Sequence, residues 1–94
     1  MDERTIIEQL LILLEQHHVA IRSEPMGGRG GGLCKLKNHT VFFVDSEAPA
    51  IDTAILCARA VNEIVDLEAV YVVPQIRDFI EKFGHEVDLS PPQA

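Results

Sequence analysis

Apolar residues recur along the chain with two periods, and each stretch predicts one element. From Thr5 to Gln16 they fall at Ile6, Ile7, Leu10, Leu13 and Leu14, one face of a 3.6-residue helix. Glu8, Gln9, Glu15 and Gln16 take the other face, with Ile12 stranded among them. Thr5-Ile6-Ile7-Glu8 has the form of a capping box and sets the predicted start, while His17 and His18 close the helix. Val19–Glu24 alternates weakly before Pro25 and predicts a short strand. Beyond a glycine-rich stretch, residues 33–37 and 40–45 alternate as the arms of a β-hairpin. Its predicted two-residue loop is Asn38-His39, since both types tolerate positive φ. In that register Lys37 opposes Thr40. Leu36 then meets Val41 and Cys34 meets Phe43 on the face expected to be core, while Lys35 meets Phe42 and Leu33 meets Val44 on the other.

Asp45-Ser46-Glu47-Ala48-Pro49 supplies helix-start residues, and helical periodicity then runs from Ile51 to Val65. Ile51, Ala54, Cys57, Ala58, Val61, Ile64 and Val65 form one broad face, and Ile55 and Leu56 flank the polar side without belonging to it. Ala69–Val73 is dense in β-branched and aromatic residues and predicts a further strand, parallel to the hairpin's second arm through a right-handed crossover. Pro74 opens a last helix, in which Ile76, Phe79, Ile80 and Phe83 keep helical spacing before Gly84. The expectation is one α+β domain over residues 1–89, ordered α-β-β-β-α-β-α. Its mixed four-stranded sheet centres on the 33–37/40–45 hairpin, and residues 90–94 form a frayed tail.

Composition narrows the function classes. The 94 residues are 47% hydrophobic and 24% charged, enough for one core without a disulfide framework. Cys34 and Cys57 have no zinc or redox spacing, so both read as reduced and small hydrophobes. Met1-Asp2-Glu3-Arg4 is no basic leader and Leu10–Leu14 is too short to span a bilayer, so a cytoplasmic location is expected. A net charge of −7 argues against nucleic acid and anionic membrane as partners. Half of the eight cations, Arg22, Arg29, Lys35 and Lys37, nevertheless crowd around the hairpin.

Candidate chemistry concentrates there. Gly27, Gly28, Gly30, Gly31 and Gly32 make a loop that lacks the Gly-Lys-Ser/Thr ending and following helix of a phosphate loop. Its amides can still form an anion-binding nest, so Gly28, Arg29, Gly30, Gly31, Lys35 and Lys37 are the candidate ligand residues, against a plain connector. Asp45, Glu47 and Asp52 read as helix-start carboxylates. No catalytic residue, metal ligand or cofactor is expected.

The order of helix, short strand, glycine-containing turn, strand pair ending in Val44-Asp45 and alanine-containing helix resembles the N-terminal part of an ImmA/IrrE-type metallopeptidase domain, over about residues 5 to 64. The resemblance implies a zinc-binding H-E-x-x-H helix. The matching positions here are Ala58, Arg59 and Asn62, none able to ligate zinc or activate water, so it implies at most a degenerate relative, a pseudoenzyme.

The first functional expectation is a non-catalytic interaction or regulatory module that forms a homodimer or binds another protein. Leu33, Phe42 and Val44 are the expected interface on an uncovered sheet face, with Ile55 and Leu56 on the second helix. The alternative is a domain that binds a small phosphate-like anion at the glycine loop.

Overall fold

The computed structural model describes residues 1–84. Helix α1 (Glu3–Gln16) leads into β1 (Val19–Glu24), β2 (Gly32–Leu36) and β3 (His39–Asp45), followed by α2 (Ala50–Ile64) and α3 (Pro74–Phe83). The chain is a compact α+β unit, with a three-stranded mixed sheet and three helices. The predicted tail at 90–94 lies outside the described residues.

The cap of α1 is Asp2 rather than Thr5: its carboxylate accepts the Thr5 amide at 2.9 Å. That amide holds the Asp2 carboxyl below its ordinary value. The helix stops because His18 adopts φ 66°, the left-handed conformation usually left to glycine.

Sheet order is β1-β3-β2, with β1 parallel and β2 antiparallel to β3. Both edges of β3 are therefore occupied, and the four-stranded sheet is corrected to three. Ala69–Val73 cannot lie beside β3 because β1 holds the parallel slot. The hairpin turns one residue earlier than expected, over Lys37-Asn38, which shifts the cross-strand register by two, and neither loop residue takes positive φ. Leu33 meets Phe42, Cys34 meets Val41 and Lys35 meets Thr40. A shift of two leaves each side chain on its expected face.

What changes is which face is core. β1 aligns Ile21 with Phe42 and Ser23 with Val44, joining Val19, Ile21, Phe42, Val44 and Leu33 on one side. All five pack into the cluster under the helices, and Phe42 is 1% exposed. The expected interface through Leu33, Phe42 and Val44 thus faces the helices instead: Phe42 is interior, and Leu33 and Val44 are half-buried against the same core. Leu10 and Leu14 of α1, Cys57, Ala58 and Val61 of α2, and Ile76 and Ile80 of α3 complete that core. Helix α2 is covered on more than one side, burying Thr53 and Ala60 as well as the predicted face. Of the two residues expected as surplus apolar surface, Leu56 is half-buried against the core and Ile55 is half-buried outside it.

Candidate functional site

The glycine stretch solves a topological problem. β1 ends beside the last residue of β3, whereas β2 begins opposite Phe43 on the far edge, so residues 25–31 must pass over the end of the central strand. Four glycines in this stretch and its exit, Gly27, Gly28, Gly30 and Gly32, carry positive φ. Gly31 is required for space: a Cβ there would run into the Phe43 carbonyl oxygen.

Asp45 fastens this crossing. Its carboxylate, at the buried end of β3, accepts the amides of Met26, Gly30 and Glu47, each at 2.9 Å. Glu47 in turn accepts the Gly27 amide at 2.7 Å. Burial opposes ionisation of Asp45, but the Glu47, Gly30, Met26 and Gly28 amides outweigh it and hold the carboxyl below its ordinary value. The group is therefore the charged acceptor that the loop is wrapped around. The helix-start role expected of Asp45 and Glu47 is replaced by this one, and α2 begins at Ala50 behind Pro49 with no side-chain cap.

The candidate ligand residues are brought only partly together. Gly30 gives its amide to Asp45, Gly31 lies against the Phe43 backbone, and Arg29 is exposed. Lys35 projects from β2 to Glu63 of α2 at 3.2 Å, and Lys37 is exposed in the hairpin turn, at the opposite end of the sheet from the loop. The two lysines and the loop do not converge.

Ala58 is buried, Arg59 is half-buried, and Asn62 donates to the Gly84 carbonyl at 3.3 Å. Among the described residues no group of three His, Cys, Asp or Glu side chains is placed to hold a metal ion. Burial pushes the Cys57 thiol up to about 12, far from a thiolate nucleophile. No described helix is long and apolar enough to cross a membrane.

The second face of the sheet is the feature that the hairpin pattern alone assigned wrongly. It carries Ala20 and Arg22 from β1, Val41 and Phe43 from β3, and Cys34 and Leu36 from β2. None of these packs into the helix-covered core. Val41 is nearly inaccessible between Ala20 and Cys34, whereas Leu36 is 45% exposed. Arg22 pairs with Glu24 at 3.0 Å along one rim and Lys37 stands at the hairpin end. The readable signal was Val19 and Ile21, which match Phe42 in parity only once β1 is set beside β3.

Compared with protein-family models, curated proteins and solved structures, the chain shows no significant match.

Proposed function

We propose that the chain is a non-catalytic interaction module whose working surface is the sheet face bearing Ala20, Cys34, Leu36, Val41 and Phe43. The observation that carries this reading is that an apolar strip runs across three strands with no described helix over it. Three strands spaced about 4.8 Å apart give a strip about 10 Å wide, which fits the body of one helix about 10 Å across. Arg22 and Lys37 beside the strip, in a chain of net charge −7, favour acidic residues along that helix's flanks. The proposed partner is an amphipathic helix of another protein. The anion-binding alternative has little to stand on at the glycine loop, where Asp45 and Glu47 already take the amides of Met26, Gly27 and Gly30.

Leu36→Glu puts a charge in the strip at a half-exposed position and should leave the fold intact. Cross-linking through Lys37 in cells, followed by mass spectrometry, should then identify one partner helix with the wild type and lose it with Leu36→Glu. A partner retained by the variant, or cross-links from Lys37 that return only to this same chain, would overturn the proposal.

A further inference from the structure

Val70–Val73 lies between a turn and α3 and joins no sheet among the described residues. The turn before it is closed by the Ala69 amide on the Asp66 carbonyl at 3.0 Å, and Arg77 holds the Leu67 carbonyl at 2.9 Å. The segment is therefore placed from both sides. Yet among the described residues the amides of Val70, Tyr71, Val72 and Val73 donate to nothing, and only the Val73 carbonyl accepts, from Ile76 and Arg77. Val72 turns inward at 6% exposure, while Tyr71 is 82% exposed and Val73 37%.

Beside it runs a groove of about 200 Å³ between α1 and α3, lined by Gln9, Ile12, Gln16, Tyr71, Val73 and Ile76 among others. Every lining residue is uncharged, in a chain where 24% of residues are charged. Ile12, which the helix pattern left among polar positions, is 46% exposed on its wall. A β-prone segment whose amides have no partner among the described residues, next to an uncharged groove, is the arrangement that accepts an added strand.

We propose that Val70–Val73 is a docking strand through which two copies of the chain pair antiparallel about a two-fold axis, each covering the other's Ile12 groove with its Tyr71. The occupant is a second copy because the site needs an uncharged segment whose amides are unpaired, and Val70–Val73 is one among the described residues. The chain's other free edges carry charge: Arg22 and Glu24 on β1, Lys35 on β2. A two-fold axis makes one segment serve as both strand and site. Four residues and one groove are a small interface, so the dimer is reversible and seen at high concentration. This inference is independent of the sheet-face reading, which uses the opposite side of the fold.

Sedimentation equilibrium up to about 1 mM, the regime of weak complexes, tests it. Wild type should show a monomer–dimer equilibrium that tightens as salt rises, because two copies of charge −7 repel each other. Tyr71→Asp should weaken it at least about tenfold, as loss of a central aromatic does, with an unchanged melting temperature. Hydrogen exchange should show alternate amides of the 70–73 segment slowing with concentration. A wild type monomeric at the top concentration would overturn the proposal, as would a dimer indifferent to Tyr71→Asp. A dimer abolished by Leu36→Glu instead would assign self-association to the sheet face and overturn it equally.

Discussion

Two segments of this chain treat their backbone in opposite ways. Residues 27–32 are mostly glycine, the residue least committed to any structure, yet the Gly27 and Gly30 amides are consumed by the Glu47 and Asp45 carboxylates. Val70–Val73 consists of strong strand formers, yet its amides have no partner among the described residues. Backbone pairing follows where topology places a segment more than what the segment prefers. The glycine loop must cross the end of β3, directly above a carboxylate, whereas the 70–73 segment arrives after both edges of β3 are taken.

The strongest way to break the contrast is Gly31→Ala. Its methyl would enter the Phe43 carbonyl, and overpacking of this kind costs on the order of 3 kcal/mol or more, a large part of a small domain's stability. Urea denaturation should show a much lower midpoint. A midpoint near wild type would mean that the loop does not cross where it is placed here.

Asp45→Asn comes next. The amide has one acceptor oxygen for the amides of Met26, Gly30 and Glu47, and turns an NH2 toward at least one donor, so the folded state should lose stability at neutral pH. The pH dependence carries a distinct mark. The folded Asp45 carboxyl lies below its ordinary 3.8, so its contribution is full above that value and disappears as pH falls through the lower folded value. Wild type should therefore show an acid limb that is shallower in Asp45→Asn, with Asp2 supplying part of the remainder. Equal acid limbs in the two proteins would contradict the role of Asp45 in fastening the glycine loop.

Hydrogen exchange on dilute protein compares the two segments directly. The Met26 and Gly30 amides should exchange slowly for loop positions, and those of Tyr71 and Val72 quickly, although the loop is glycine-rich and the segment hydrophobic. The reverse order would end the comparison. The smallest effects should come from His18→Gly. It relieves a left-handed non-glycine residue while adding unfolded-state freedom, for a net gain of about 0.5 kcal/mol in thermal melts.

Much of the fold was readable in local pattern. Helical spacing placed α1, α2 and α3 within a few residues of their observed ends, because each has an apolar stripe that only one geometry can bury. The hairpin was readable from alternation, though its loop was not: Lys37-Asn38 closes with ordinary negative φ, so the positive-φ preference of Asn and His pointed two residues too far along in register. The candidate site was the least legible part. Asp45 looked like any helix-start carboxylate, since nothing near it in sequence shows that Met26 and Gly30, 19 and 15 residues earlier, will lie over it.

By itself, then, the sequence determined the helices, the hairpin's existence and the demand for glycine between two strands, all set by short-range periodicity and backbone sterics. Only the tertiary structure decided that β1 lies parallel beside β3, and three further features follow from that contact. Val19 and Ile21 bring Phe42 to the interior and leave Val41, Phe43 and Leu36 on the face that no described helix covers. Residues 25–31 are forced over Asp45, which neutralises the loop's amides. Ala69–Val73 is denied a place beside β3. A strand's parity and its neighbour are long-range choices, fixed by which pairing buries more apolar surface, and no window of the chain shorter than the whole sheet contains that comparison.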